Sequence, residues 1–472
     1  MLRVYCDTNI YSLIKEDNKS FNSDLRELMD ELKDILIFTY SHAHHLDLSN
    51  SLQEYWQKDL EFLETYVKDH YFNYNPLKKD AECLLAKPTE SFYDTDFTVY
   101  KNYLNPDFDI MESLLNEYDI DEDDEIIKTH NEIFKNLLNL SIPNLFVTNE
   151  NIEDSQKSLV ERFLPSQENL TIGNLTSHFF NYGQRLFSDK EEFKSLKKMI
   201  SEYADTDKYS FEKWKDQYDE KFKENFQGKS FTEIMQQLFD SVPNYNEYDK
   251  FILFFSCLEG YNITKDKPLR KSQGYDSIHT DANHAWYASF SDFLVSDDKG
   301  LRAKAYITYK FFNIETEIFN VDDFLKYKIN FLQQEEVSWK AFVEKLLHES
   351  ENSLIIEKNA ITQDEVFVTV KNEHHFFNYF NRILHSTNSV ILYCQRSFNS
   401  NFIMYKEGQL LTNKLINLLG SDSNDMHYYD FEKDSDKNEV IRHWLTEELE
   451  IIFGYAQNNG GICYCLELLL KK

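Results

Sequence analysis

Residues 293–298, FLVSDD, are an apolar run that stops abruptly in Ser296-Asp297-Asp298 and then turns, through Lys299-Gly300-Leu301, towards a helix. Such a run reads as a buried strand, and it places Asp298 over the strand's carboxyl end. Asp297, one residue earlier, points elsewhere and is the weaker ligand candidate. Three other segments have the same character. Near the N-terminus, LRVYCDTN (2–9) is a β-rich run ending in Asp7, Thr8 and Asn9. ILIFTYSHAHHLDL (35–48) holds a second strand, Ser41, three histidines and Asp47. YDSIHTDANHAWYA (275–288) falls on a helix read at about 276–290 and carries Asp281 and His284, an i, i+3 pair on one face. Acids at strand ends and helix starts of an open α/β sheet lie where such sheets bind ligands. Brought together they repel one another unless a cation neutralises them.

Each of these residues has a plainer reading. Asp7 and Asp298 stand where helix N-caps stand. Among His42, His44 and His45, a core histidine and two surface ones account for the trio without a metal. If a histidine does ligate, ring nitrogens suit manganese, zinc or iron. Ser41 at a strand end followed by an acid one and a half turns later brings Asp47 back to the same pocket.

The bulk properties set bounds. The 472 residues hold 50 Lys and Arg against 82 Asp and Glu, a formal net charge of −32. With 38 Phe and 30 Tyr the chain has the apolar mass for real cores, which excludes an acidic disordered protein. Only 11 Gly and 7 Pro fit a helix-rich body with short connections. No run of eighteen apolar residues and no basic-then-apolar leader occurs, so no membrane span or signal peptide is expected. Six cysteines without a disulfide-like spacing point to reduced thiols and a cytoplasmic setting. Cys463 and Cys465 are read as facing opposite sides of a strand rather than binding zinc. The charge opposes binding to a polyanion, but Lys265, Lys267, Arg270 and Lys271 precede the third segment, and Lys299, Arg302 and Lys304 follow the fourth. They can form a basic rim around one pocket.

Along the chain, strands at 2–6 and 35–40 flank a helix at 22–33. Trp56, Leu60, Leu63 and Val67, and later Ile126, Ile133 and Leu137, recur at helical spacing. The run DIDEDDE (119–125) reads as a solvated loop at a helix start. YDKFILFFSCLEGY (248–261) is an apolar helix. The expected fold class is α/β: a parallel-sheet domain built from 1–50 and 245–330, interrupted by a mostly helical insertion at 51–244 and followed by a C-terminal α+β module at 331–472. In that module EVFVTVKN, SVILYCQR and GICYCLELL read as strands, and IRHWLTEELEIIFGYA (441–456) as an amphipathic helix.

The order and setting of the four segments resemble the PIN domain, a metal-dependent nuclease fold. Its pattern is a strand ending in D-T/S-N, an acid in the helix after the second strand, D-A opening a later helix, and an apolar strand ending in T/S-x-D. Asp7-Thr8-Asn9, Asp47, Asp281-Ala282 and Ser296-Asp297-Asp298 take those places. The resemblance covers about 130 residues, by a count of the segments that carry it. It departs from the family in offering aspartate where glutamate is usual at the second position, with His45 as a rival there, and in the size of the insertion. It implies Asp7, Asp47, Asp281 and Asp298 as catalytic, metal-binding residues. Thr8, Asn9, His45, His284, Ser296 and Asp297 are secondary candidates. It further implies one or two Mg2+ or Mn2+ ions that orient water for in-line attack on a phosphodiester. The implied substrate is nucleic acid, RNA before DNA, held by the basic residues. The implied function is a ribonuclease under control of a regulatory protein partner, in the manner of a bacterial toxin or antiphage-defence effector. The alternative is a PIN-like scaffold or sensor with a weak or inactive pocket.

Overall fold

The computed structural model describes residues 1–75, 80–97, 216–225, 228–241, 246–260, 275–332, 338–360, 366–396, 401–434, 440–458 and 461–471, with isolated positions between 171 and 195. The chain divides into two compact units. The first comprises Met1–Thr95, Ser210–Leu258 and Thr280–Lys472; the second comprises Asp96–Tyr209 and Glu259–His279.

The first unit begins with β1 (Arg3–Cys6), α1 (Thr8–Leu13), α2 (Ser23–Leu32), β2 (Ile37–Ser41), α3 (His42–Ser49) and α4 (Gln53–Val67). These match the periodicities read from the sequence. Two further strands follow, β3 (His70–Asn75) and β4 (Asp80–Leu85), then α5 (Pro88–Tyr93). β3 and β4 correct the reading of the stretch after residue 50 as helical. HYFNYN is half polar and shows no clean alternation, and it becomes a strand by pairing parallel to β2 through Tyr40–Tyr71 and Ser41–Phe72. The described helices α6 (Tyr218–Asn225), α7 (Phe231–Ser241) and α8 (Glu247–Gly260) come next, and α9 (Tyr275–Ala288) leads into β5 (Phe293–Val295), α10 (Lys299–Phe312) and β6 (Glu317–Phe319). Ile126, Ile133, Leu137 and the acidic run 119–125 lie outside the described residues.

The first sheet has the order β4-β3-β2-β1-β5-β6, parallel throughout except for β4. Every residue of β1, β2 and β5 is buried, as expected for parallel strands covered on both faces. Alternate side chains feed two cores. Leu2, Val4, Cys6, Phe38, Tyr40, Phe293 and Val295 join α2 and α4 on one side. Tyr5, Ile37 and Leu294 join Ala282, Ala285 and Trp286 of α9 on the other. From β1 the chain goes to β2 on one flank, and later returns to β5 on the other. The carboxyl ends of β1 and β5 therefore border a topological switch point, the crevice where sheets of this kind bind ligands.

After β6 come α11 (Val321–Lys326), α12 (Lys328–Phe331) and α13 (Trp339–Asn352), and then the C-terminal module: β7 (Leu354–Ala360), β8 (Val366–Phe376), β9 (Phe380–His385), β10 (Ser389–Tyr393), α14 (Asn401–Leu419), α15 (Phe431–Asp434), β11 (Arg442–Leu445), β12 (Leu449–Asn458) and β13 (Gly461–Leu470). Its seven strands form an antiparallel sheet in the order β11-β12-β13-β10-β9-β8-β7. The helix expected over 441–456 is instead the hairpin β11–β12. Thr446 turns the chain, its backbone N–H donating to Leu449 O and its Oγ1 accepting from Leu449 N–H. The run's apolar residues fit a helical period and two short strands alike, and pairing with β13 decides between them. Cys463 and Cys465, two apart in β13, share a face, which corrects the expectation that they oppose each other.

The C-terminal module packs on the first sheet through a common apolar cluster that includes Leu294, Phe342, Val370, Phe380 and Leu411. It also reaches into β1. Arg3, fully buried, donates from Nε to Glu407 Oε1 at 3.0 Å and from Nη2 to Oε2 at 3.3 Å, and Arg396 Nη1 meets the same carboxylate at 3.0 Å. Asp292 accepts from Arg3 N–H at 2.7 Å and from Arg396 Nε at 3.0 Å. The strand that presents Asp7 is thus bolted at its start to helix α14.

Candidate metal centre

Asp7 is the residue between β1 and α1, and its backbone continues the sheet, N–H donating to Val295 O at 2.9 Å. Its side chain does not cap α1. The carboxylate turns across to the next strand end, where Oδ2 accepts from Ser296 Oγ at 2.7 Å and from Asn9 Nδ2 at 2.6 Å. Asn9 Oδ1 in turn accepts from Asp297 N–H at 3.3 Å, so the loops after β1 and β5 are tied together. Oδ1 of Asp7 is left facing His284 Nε2, 3.9 Å away.

His284 comes from the middle of α9 and is almost wholly buried. Its Nε2 lies 2.9 Å from Asp47 Oδ2, and its Nδ1 lies 2.8 Å from Tyr5 OH. Asp47 reaches the same place from α3. Asp7, Asp47 and His284 each offer one ligand atom, and these atoms all lie within 4.8 Å of one another. Two carboxylate oxygens and an imidazole nitrogen converging from three elements form a group able to coordinate a divalent cation.

The electrostatics favour a positive charge there. Burial pushes the Asp7 carboxyl above its ordinary range, since the attraction of His284 is too weak to compensate and Asp47 adds repulsion. Burial opposes ionisation of Asp47 as well, but the hydrogen bond and charge of His284, with Thr8, hold it below the ordinary value. For His284, burial disfavours the imidazolium, and Asp47, Asp7 and Asp281 outweigh it, so the net shift is upward.

The remaining candidates are arranged around this group. Asp281, one turn before His284 on α9, is outside the triad and pairs with the buried Lys304 of α10, Oδ2 to Nζ 3.5 Å. Desolvation pushes Asp281 up to about 7; Lys304 works against this, and Asp298 and Asp7 reinforce it. Lys304, which the sequence places in a basic rim, is in fact buried over the Phe255 ring at 4.8 Å. Asp298 is exposed and caps α10, its Oδ1 accepting from Leu301 N–H at 2.9 Å, while its own N–H donates to Ser296 Oγ at 3.0 Å. Asp297 and Lys299 are exposed, and Arg302 Nη1 donates to Ser296 O at 2.6 Å. Lys265, Lys267, Arg270 and Lys271 lie outside the described residues.

His45 is turned away from the centre. It stacks on Tyr71 at 5.4 Å between ring centroids, and its Nε2 meets Ser91 Oγ at 3.2 Å. His44, one of the three histidines considered as ligands in the sequence, is a framework residue: Nε2 donates to Cys6 O at 2.8 Å and Nδ1 accepts from Ser41 N–H at 3.1 Å, closing a capping box at the start of α3. Tyr5 was not visible as a site residue in the sequence. A tyrosine in a buried apolar strand carries no signal of its own; only the position of its hydroxyl beside Ser41 and His284 marks it.

The role of Asp298 is separable by substitution. Asn is as good an N-cap as Asp, so Asp298→Asn should melt with the wild-type protein, whereas Asp298→Ala should lose about 1 kcal/mol. Thermal denaturation of the two variants checks this, and equal losses in both would show that the charge rather than the cap matters to the fold.

The fold and the centre define an α/β protein with an Asp/Asp/His group, able to hold a divalent cation, at the switch point of a parallel sheet. Compared with models of protein families, with curated proteins and with solved structures, the chain has no match. Among the described residues no helix is long and apolar enough to cross a membrane.

Proposed function

We propose that the protein is a PIN-like, metal-dependent ribonuclease that hydrolyses phosphodiester bonds at the Asp7–Asp47–His284 centre. The observation that carries this reading is the convergence of these three ligand atoms at the switch point between β1 and β5. The Asp7 carboxylate is withheld from helix capping and aimed at the other two. The donor set fits Mg2+ or Mn2+, which when bound would polarise the phosphate and lower the pKa of a bound water.

The chain's own residues supply the rest. Ser296 and Asn9 fix the Asp7 carboxylate, and Tyr5 fixes the His284 ring. Asp281, with a proton exchanged near neutrality and Lys304 beside it, is placed to take a proton from an attacking water at Oδ2. Lys299 stands exposed after β5, where it can meet the flanking phosphates. RNA is favoured over DNA on the PIN-like arrangement, and a controlling protein partner agrees with a formal charge of −32, which leaves most of the surface unsuited to a polyanion. Use as a toxin or in defence against phage rests on analogy with the PIN family, since an uncontrolled ribonuclease would damage its own cell.

The test is cleavage of end-labelled single-stranded RNA and DNA by the full chain in EDTA, Mg2+ and Mn2+. Cutting of RNA only with a divalent ion is the expected result. If no ion supports cutting of either polymer, the scaffold or sensor reading replaces this one.

A further inference from the structure

The ligand group is not all oxygen. His284 takes one of its three places, and the atoms behind that histidine are arranged in a way that a simple core histidine does not need. Tyr5 OH lies 2.8 Å from His284 Nδ1, 2.6 Å from Ser41 Oγ and 3.4 Å from His44 Nδ1. Tyr5, Ser41 and His284 are all buried. Because His44 Nε2 donates to Cys6 O, its Nδ1 is an acceptor. The Tyr5 hydroxyl therefore stands between groups that can take its hydrogen and groups that can give it one.

The neutral His284 ring, the form that can bind a cation, has two hydrogen arrangements here. In one, His284 Nε2–H donates to Asp47 Oδ2, Tyr5 donates to His284 Nδ1, and Ser41 Oγ–H donates to Tyr5. In the other, the hydrogen sits on Nδ1 and is donated to Tyr5 oxygen, and Tyr5 donates to Ser41 Oγ. The second leaves a lone pair on Nε2, aimed between Asp47 Oδ2 at 2.9 Å and Asp7 Oδ1 at 3.9 Å. Only that arrangement lets the neutral ring bind a cation, and in it every buried polar atom of the ring stays paired.

We infer that Tyr5 is the positioning residue for a nitrogen ligand, and that it makes this centre select Mn2+ over Mg2+. The inference rests on reading the triad as a metal centre. Mg2+ favours carboxylate and water oxygens and loses its hydration reluctantly, whereas an imidazole nitrogen suits the transition-metal dications. Phenylalanine at position 5 keeps the ring that packs against the α9 side of the sheet but removes the hydroxyl. The Nδ1 hydrogen needed for metal binding then has no acceptor in a buried place.

The experiment is Mn2+ binding to the full chain, followed by electron paramagnetic resonance with Mg2+ as competitor, for the wild type, Tyr5→Phe and His284→Asp. Spin-echo modulation of the bound Mn2+ reads directly whether a nitrogen is coordinated. The wild type should hold Mn2+ against excess Mg2+ and show the nitrogen signal. Tyr5→Phe should bind Mn2+ about 10–100-fold more weakly, the loss usual for an outer-shell partner of a histidine ligand. His284→Asp should lose the nitrogen signal and narrow the preference for Mn2+.

An absent nitrogen signal in the wild type overturns the inference, as does a Tyr5→Phe variant that binds Mn2+ like the wild type. Should Tyr5→Phe not fold, as judged by its melting curve, the wild-type signal and His284→Asp decide. Selective Mn2+ binding through nitrogen without RNA cleavage would keep this inference and remove the ribonuclease reading. Cleavage supported equally by Mg2+, without coordinated nitrogen, would do the reverse.

Discussion

Asp7→Asn is expected to melt at a higher temperature than the wild type in metal-free buffer at neutral pH, and to be inactive. Burial raises the Asp7 carboxyl above its ordinary value despite the nearby His284. A group whose folded-state pKa exceeds its unfolded value is protonated in both states at low pH and destabilises the fold once pH passes the unfolded value. Stability therefore falls as pH rises from near the ordinary aspartate value of 3.8 towards the raised folded value, and it stays lower at neutrality. Asparagine removes that penalty, so the gain of the variant should be present at pH 7 and vanish near pH 3. Added cation should act in the opposite sense. At about 100 times its dissociation constant a ligand stabilises the wild type by about 2.7 kcal/mol, and Asp7→Asn should forfeit most of this. Melting curves at several pH values with and without Mn2+ check both halves. A variant that melts lower than wild type without metal would make Asp7 a framework residue, held for its bonds to Ser296 and Asn9.

The second large effect lies far from the centre. Glu407→Gln should destabilise the protein by about 3–5 kcal/mol, the usual result of removing one partner from a buried ion pair. Glu407 is wholly buried with Arg3 and close to Arg396. Burial opposes its ionisation, yet the two guanidinium groups outweigh burial and hold it down to about 2. The sign is that of a depressed carboxylate: its contribution is present above the unfolded value near 4.5 and is lost as pH falls towards 2. Wild type should therefore lose stability through that acid window more steeply than Glu407→Gln. Urea denaturation at pH 7 and pH 3 measures the difference. A loss below about 1 kcal/mol at pH 7 would put the pair on the level of a surface salt bridge. Because Arg3 starts β1 and Asp7 directly follows its last residue, the same variant should also weaken cation binding by loosening the strand that presents Asp7.

The parallel sheet was legible in the sequence because its strands are short apolar runs that end in polar turns, as in 3–7 and 293–298. The helices α2, α4, α8 and α9 were legible from apolar spacing. β3 and β4 were not, because HYFNYN and DAECLL are half polar and acquire their identity by pairing with β2 and with each other. The hairpin 442–458 was misread for a related reason: a short run of mixed apolar residues satisfies two periods, and only its partner strand selects one.

The division is similar at the centre. The sequence by itself placed acids at the ends of β1 and β5, and in the helices following β2 and preceding β5, because strand ends and helix starts are local features. It could not decide which acid caps a helix and which faces the pocket. That depends on which hydrogen-bond donors lie opposite, and for Asp7 the deciding donor, Ser296, is 289 residues away. Tertiary structure turned Asp7 inward and spent Asp298 on α10. It moved His284 into the ligand group with Asp47, sent His45 into the core and buried Lys304 against Asp281. Above all it put the Tyr5 hydroxyl behind His284, since the chemistry of a buried tyrosine is set by the neighbours of one oxygen atom, and those neighbours come from β2, α3 and α9.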